Sequence, residues 1–201
     1  MSINEMVLPA PRKGLLVTER LLGTLGMLAS PMMLVEMLFF GFRQHGSNRV
    51  IGLLGVIYTV GWFCSALGMR RSRATGDTAL SKGVFVLQLV GLVLAFFWSL
   101  QELIHTGVDK SGLFYGVTDA AWPLSHLFML VIGILTVRAG VWEGWRRFAP
   151  LLVGLALPAA IAAASVFGMA EMGITFAVMT TAGFFALGYS VRTGAGAPGR
   201  G

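Results

Sequence analysis

The sequence predicts an all-α integral membrane protein, a bundle of six transmembrane helices with both termini on the cytoplasmic side. Three observations support this fold class. Hydrophobic residues make up 56% of the 201 residues and charged residues 12%, against about 25% charged in soluble proteins. Six apolar stretches reach the roughly 20 residues that a helix needs to cross a bilayer core. Basic residues gather on one side of these stretches.

The six predicted spans make up a single domain over residues 1–201. Each is an apolar run of helical length, without the period-two alternation of membrane β-strands. The spans cover residues 21–42, 50–69, 83–103, 120–137, 148–170 and 172–191. The second and fifth contain no ionisable side chain. They are the clearest, because a charge at mid-membrane costs about 3 kcal/mol.

Prolines and small residues predict how individual spans are built. Pro31 lies half-way along the first span, so we expect it to bend or break that helix. Transporters use such breaks to build sites inside the membrane, although a packing kink is the simpler interpretation. Pro123 fits the first turn of a helix that begins near Ala120, where amides lack partners anyway. The fifth span is rich in Gly, Ala and Ser around Pro158, and we expect it in the middle of the bundle. The fifth and sixth spans should form a tight hairpin near Glu171.

The distribution of Lys and Arg predicts orientation, because basic residues accumulate on the cytoplasmic side of a membrane. Twelve lie on the side that holds both termini and three on the other. The twelve are Arg12, Lys13, Arg20, Arg70, Arg71, Arg73, Lys82, Arg138, Arg146, Arg147, Arg192 and Arg200, and the three are Arg43, Arg49 and Lys110. A bacterial inner membrane is the default location. The basic residues flank the spans, which favours the lipid bilayer as partner and excludes nucleic acid.

The ionisable residues in or beside the spans gather in the predicted outer half. They are Glu36, His45, Glu102, His105, Asp109, Asp119, His126 and Glu171. From a helical rise of 1.5 Å per residue, Glu36 and His126 lie about 9 Å below the outer boundary and Glu102 about 4.5 Å. Glu36, Glu102 and His126 are therefore the candidate ligand- or proton-binding residues, and they meet only if their helices are neighbours.

An acid in hydrocarbon must be protonated, paired or held against a cation or water. A neutral acid beside a neutral imidazole relays protons, a charged pair is a structural clamp, and carboxylates with imidazoles bind divalent metals. His105 and Asp119 are the further candidate metal ligands. Glu102 and His105 are spaced to share a helical face, as are Asp119 and His126. Asp119, after Thr118, also suits a helix first turn.

Several cofactors and energy sources are excluded. The chain has no nucleotide-binding glycine motif and no His-Glu-x-x-His motif. His105 lies about 9 Å shallower than His126, so the two cannot oppose each other across a haem. The one cysteine, Cys64, excludes a disulfide framework and a thiolate-rich metal site. The cofactor stays unknown, with a divalent metal as the open possibility.

Three functions fit these residues. The first is a binding or gating module with an outer cavity of acids and histidine for a proton, a metal ion or a small polar ligand. The second is a non-catalytic subunit of a homo-oligomer or larger membrane complex. The third is an outer-face metal-dependent membrane hydrolase. The acid, histidine and serine residues near one membrane face resemble the multi-span zinc hydrolases that act on lipid amides, but the chain lacks their paired-histidine spacing.

Overall fold

The computed structural model describes residues 13–41, 48–105 and 112–194, with side chains described from residue 18 onwards. These residues form seven α-helices, one 3₁₀ helix and no strand. The helices are α1 (Lys13–Ala29), α2 (Met32–Phe40), α3 (Arg49–Arg71), α4 (Ala79–Ile104), α5 (Leu113–Ala139), the 3₁₀ helix (Gly144–Phe148), α6 (Ala149–Phe167) and α7 (Met169–Gly194). Six helical segments are long and apolar enough to cross a membrane, the first of them made by α1 and α2 together. The predicted all-α class is confirmed, as is the number of helical segments long and apolar enough to cross a membrane.

The helices form a closed ring in chain order. α1 packs against α3, each later helix packs against the next, and α7 returns to pack against α1. The short helix α2 lies against α3 and α7. Because successive spans run in opposite directions, their connections gather at two ends of the ring. We call one the basic end, which holds Arg70, Arg138 and Arg192, and the other the acidic end, which holds Glu36 and Glu102.

An aromatic cluster fills the interior of the ring. Tyr58 and Trp62 on α3 meet Phe184 on α7 edge to face, with ring centroids 5.1 and 4.9 Å from Phe184. Leu92 and Met129 complete this core and are fully buried. Edge-to-face ring pairs add to the free energy gained by burying their area. The middle of the bundle is therefore closed by side chains.

The break predicted at Pro31 is confirmed. α1 ends at Ala29 and α2 begins at Met32. The Ser30 amide and hydroxyl both donate to the Met27 carbonyl, at 3.3 and 2.8 Å, so the end of α1 is satisfied locally. The proline cannot donate to the helix and separates α2 from α1. The first span is thus two helices, and the second of them carries Glu36.

The prediction that the fourth helix begins near Ala120 is wrong. α5 begins at Leu113, seven residues before Ala120, so Pro123 lies inside the helix and not in its first turn. The segment that precedes Ala120 is apolar enough to continue the helix, and Thr118 donates its hydroxyl to the carbonyl of Phe114 at 3.0 Å. Asp119 is accordingly not a first-turn residue. Because Pro123 has no N–H, the Asp119 carbonyl loses its usual helical hydrogen bond.

The predicted central position of the fifth span is also wrong, whereas the predicted hairpin is confirmed. α6 is one member of the ring, between α5 and α7. Its small residues permit close approach on those two sides, and a Cβ on Gly154 would lie 2.5 Å from the Leu130 amide nitrogen. Its other face is exposed. Gly168 alone separates α6 from α7, with φ 110°, a backbone region that favours glycine.

Candidate functional site

A cavity of about 320 Å³ opens at the acidic end, between α2, α3, α4, α5 and α7. Its walls combine acidic, aromatic and thioether side chains with three glycines. The lining residues are Met33, Glu36, Met37, Gly41, Ile51, Gly55, Trp98, Ser99, Glu102, Asp119, Trp122, Gly173, Phe176 and Ala177. Its size falls at the lower limit of small-molecule sites, which run from about 300 to 1,000 Å³.

Three carboxyl groups from three different helices face this cavity. Glu36 of α2 is half-buried, Glu102 of α4 is 4% exposed, and Asp119 of α5 is exposed at the rim. Among the described residues that line the cavity, none is Lys, Arg or His. Acidic groups at several depths around one apolar space favour a positively charged occupant.

Polar contacts between α4 and α5 hold the Glu102 side of the cavity in place. The Tyr115 hydroxyl donates to Glu102 Oε1 at 3.4 Å. The Gln101 amide donates to the Thr118 hydroxyl at 3.1 Å. These two contacts tie the end of α4 to the beginning of α5, so the position of the Glu102 carboxyl depends on both helices.

Aromatic rings form much of the remaining wall. Trp98 comes from α4, Trp122 from α5 and Phe176 from α7. Trp122 and Phe176 contact each other with ring centroids 5.0 Å apart. On the opposite side Gly55 lets α3 approach α4, since a Cβ there would lie 2.7 Å from the Ser99 hydroxyl. The faces of indole rings attract cations, so these walls complement the carboxyl groups.

His126 lies behind the cavity and does not line it. The imidazole is fully buried, with Nδ1 3.1 Å from the Trp122 carbonyl and Nε2 3.3 Å from the Tyr58 hydroxyl. A carbonyl only accepts hydrogen bonds, so Nδ1 carries the proton of the neutral ring and Nε2 accepts from Tyr58. Trp62, Trp122 and Phe176 surround the ring at 4.4, 4.8 and 5.2 Å. His126 is a satisfied core residue that touches the cavity floor.

The other sequence-predicted residues divide between the cavity and the surface. Asp119 lines the cavity, whereas His105 is exposed and caps α4 with extended backbone, so the helical spacing from Glu102 ends there. His45 and Asp109 lie outside the described residues. In the part of the chain that the structure describes, no group of three or more His, Cys, Asp or Glu residues is placed to hold a metal ion.

The aromatic half of this site was not predicted from the sequence. Trp98, Trp122 and Phe176 line the cavity, and Tyr58 contacts the histidine beneath it. An aromatic residue in a span has the same sequence signal whether it faces lipid or a cavity. One available signal was the Tyr58 hydroxyl in the second span, which has no ionisable carboxyl, basic or imidazole group, because a buried phenol usually finds a hydrogen-bond partner.

No family model, no curated protein and no solved structure matches this chain.

Proposed function

We propose that this chain is a membrane-embedded binding module whose cavity at the acidic end holds a small organic cation. The observation that carries the proposal is the convergence of Glu36, Glu102 and Asp119 with two indole rings, Trp98 and Trp122, around one space. Carboxylates provide charge complementarity, and indole faces recognise ammonium and quaternary ammonium groups. This combination takes a cation that also carries apolar surface.

An organic cation fits the cavity better than a metal ion. Structural and catalytic zinc sites use three or four protein ligands around one point. Glu36, Glu102 and Asp119 share the cavity, but among the described residues no three His, Cys, Asp or Glu side chains lie close enough together to bind one metal ion. Calcium and magnesium require shells of oxygen ligands in close geometry. A space of about 320 Å³ with aromatic and methionine walls is instead suited to a molecule of several heavy atoms. The same observations give little support to the metal-dependent hydrolase.

We also propose a gating role, which is supported by the residues that form the floor of the cavity. Trp122 and Phe176 line the cavity on one side and contact the His126 ring on the other. The Trp122 carbonyl also holds His126 Nδ1. Below this layer the aromatic cluster of Tyr58, Trp62 and Phe184 closes the ring interior. A ligand that displaces Trp122 would thus move the residues that block the centre of the bundle.

The proposed orientation puts both termini in the cytoplasm and opens the cavity to the outer side of a bacterial inner membrane. Its support is the distribution of twelve basic residues on the terminal side and three on the other. Under this orientation the cavity samples external solutes.

Tetramethylammonium is the probe that tests the proposed function. We expect it to change the tryptophan fluorescence of the purified protein in detergent, because Trp98 and Trp122 line the cavity. Glu102→Gln should weaken binding at least tenfold, whereas Glu143→Gln, an exposed acid at the basic end, should bind as the wild type does. Magnesium and zinc are titrated in parallel.

Two outcomes would overturn the proposal. The first is a wild-type protein that shows no saturable response to tetramethylammonium. The second is an equal loss of affinity in Glu102→Gln and Glu143→Gln, which would indicate a general charge effect. Saturable binding of zinc or magnesium without any tetramethylammonium response would mean that the cavity binds a metal ion and not an organic cation.

A further inference from the structure

The connection between α5 and α6 lies at the basic end and has an exposed, aromatic and basic surface. α5 ends at Ala139, Gly140 turns the chain with φ 62°, and the 3₁₀ helix follows. The 3₁₀ helix has no buried residue. Its Trp145 is 54% exposed and Phe148 45% exposed. Large rings this exposed beside a membrane-spanning helix are typical of the headgroup layer of a bilayer.

The exposed rings are held in a defined arrangement. Trp145 stacks on Tyr189 of α7, with ring centroids 6.0 Å apart and an interplanar angle of 23°. The Arg147 guanidinium lies over the Phe148 ring at 4.8 Å. Arg192 is three residues after Tyr189, so it shares the helical face on which Trp145 stacks. We call the set Trp145, Arg146, Arg147, Tyr189 and Arg192 the junction patch.

The junction patch differs from the other basic region at the same end. In the loop between α3 and α4, Asp77 forms ion pairs with Arg70, Arg73 and Lys82 at 3.7, 3.9 and 3.2 Å. Within the described residues, no arginine of the junction patch belongs to an ion pair, although Glu143 is adjacent in the chain. The loop therefore has its own counter-charge, whereas none of the described residues forms an ion pair with the arginines of the junction patch.

We propose that the junction patch is a binding site for the phosphate headgroup of an anionic phospholipid. The guanidinium fork of an arginine donates two parallel hydrogen bonds to phosphate oxygens, a bidentate geometry that lysine does not have. Tryptophan and tyrosine place an apolar body against acyl chains and a polar edge among headgroups. A free phosphate ion would satisfy the arginines alone, whereas a lipid satisfies the arginines and the exposed Trp145 ring together. This inference is independent of the cavity and its cation.

Native mass spectrometry of the full chain in detergent tests the site with two lipids, phosphatidylglycerol and phosphatidylcholine. We expect the wild type to retain phosphatidylglycerol in preference to phosphatidylcholine. Arg146→Gln with Arg147→Gln should reduce the retained phosphatidylglycerol at least tenfold. The matched control, Arg73→Gln with Lys82→Gln, removes the same charge at the same end and should retain the lipid. Arg146→Lys with Arg147→Lys keeps the charge but loses the bidentate geometry, so this variant should retain an intermediate amount of phosphatidylglycerol.

Four results would overturn this site. Equal loss in both glutamine double variants would show that binding depends on diffuse charge. Equal retention of the two lipids by the wild type would show no preference for an anionic headgroup. Displacement of phosphatidylglycerol by millimolar inorganic phosphate would assign the patch to a free anion. If Arg146→Gln with Arg147→Gln does not fold, as judged by its melting temperature, Arg146→Lys with Arg147→Lys decides the test. Retention equal to wild type in this folded variant would also overturn the proposal.

Discussion

At the scale of single residues, the contact between Tyr58 and His126 makes a clear prediction. Tyr58→Phe removes the hydroxyl that donates to Nε2 of a fully buried imidazole. An unsatisfied buried polar atom costs about 1–3 kcal/mol, and hydrogen bonds inside membrane proteins are at the lower end of that range. We expect a loss of about 1 kcal/mol in the free energy of unfolding, measured by reversible unfolding in mixed micelles.

Tyr189→Phe is the control for this substitution. Tyr189 is 39% exposed and stacks on Trp145 through its ring, which phenylalanine preserves. We expect its stability to stay within about 0.5 kcal/mol of the wild type. If Tyr58→Phe is equally harmless, the Tyr58 hydroxyl does not contribute a net stabilising bond to the histidine.

The ion pairs of Asp77 at the basic end predict that the stability of the protein depends on pH. The hydrogen bond and charge of Lys82, followed by the charges of Arg73 and Arg70, lower the pKa of Asp77 below its ordinary value. A lowered folded-state pKa gives stability that is present above the unfolded pKa of about 3.9 and is lost as the pH falls through the folded pKa. Asp77→Asn should therefore lower the melting temperature slightly at pH 7, and this difference should vanish near pH 2.

The effect of salt on the melting temperature is a second test of the Asp77 ion pairs. The carboxyl group is in contact with water, so about 1 M salt should screen its ion pairs and reduce the difference between the wild type and Asp77→Asn. Glu143→Gln, an exposed acid at the same end with no ion pair to the described residues, should show no such difference at any pH. A difference for Asp77→Asn that is unchanged at low pH would mean that its charge is not the cause.

Residue chemistry also explains which part of the site could be predicted. Glu36, Glu102 and Asp119 stand out in the sequence because an acid beside or within an apolar run is costly and needs a reason. Trp98 and Trp122 do not stand out, because an aromatic residue is favourable against lipid and against a cavity. Which way an aromatic side chain points depends on helix rotation, and rotation is set by neighbouring helices that one span does not reveal.

At the scale of helices, close packing between α1 and α7 predicts opposite effects of two alanine substitutions. A Cβ on Gly188 would lie 2.7 Å from the Gly23 carbonyl oxygen and 2.8 Å from the Met27 amide nitrogen. Backbone cannot give way easily, so Gly188→Ala should cost about 1–3 kcal/mol. A Cβ on Gly83 meets nothing within 4 Å. Gly83→Ala should raise stability by up to about 1 kcal/mol, because alanine is the better helix former.

Both substitutions are measured in the same unfolding assay as the tyrosine variants. Equal effects of Gly188→Ala and Gly83→Ala would contradict the close approach of α1 and α7. A stable Gly188→Ala protein would mean that the two helices separate without loss. Only the difference between the two sites carries information about packing, since both changes add the same methyl group.

Helix boundaries were predictable where charge marks them. α3 extends from Arg49 to Arg71, close to the predicted 50–69, because arginines stand at both ends. α5 begins at Leu113 and not at the predicted Ala120. The prediction missed this first part of the helix because residues 113–119 include glycine, aromatic and acidic residues, a composition also typical of an interfacial loop. The end of a hydrocarbon layer and the end of a helix are different boundaries. Composition detects the first, and hydrogen bonding decides the second.

At the scale of the whole molecule, the ring arrangement could not be read from the sequence. Short connections make consecutive spans neighbours, which the ring obeys from α3 to α7. The closing contact of α7 with α1 depends on two small residues, Gly23 and Gly188, which contact each other although they are 165 positions apart in the chain. The cavity exists because this closure brings α2 and α7 to the same space as α4 and α5.

The direction of the ring across the membrane is the remaining prediction, and cysteine labelling measures it. In a Cys64→Ser background, Gly112→Cys places a thiol at the acidic end and Ser72→Cys places one at the basic end. Gly112 has φ −68°, which any residue adopts, and Ser72 lies in the loop after α3. An impermeant maleimide should label Gly112→Cys in intact cells, because the positive-inside rule puts the basic end in the cytoplasm.

Ser72→Cys should react only after the membrane is disrupted. The reverse pattern would turn the cavity towards the cytoplasm and make an internal solute its ligand, while leaving the carboxyl and indole chemistry of the site unchanged. Labelling of both thiols in intact cells would be more damaging, because it would place the two ends of the ring on one side of the membrane. The six helices would then not cross the bilayer as their length and apolar composition imply.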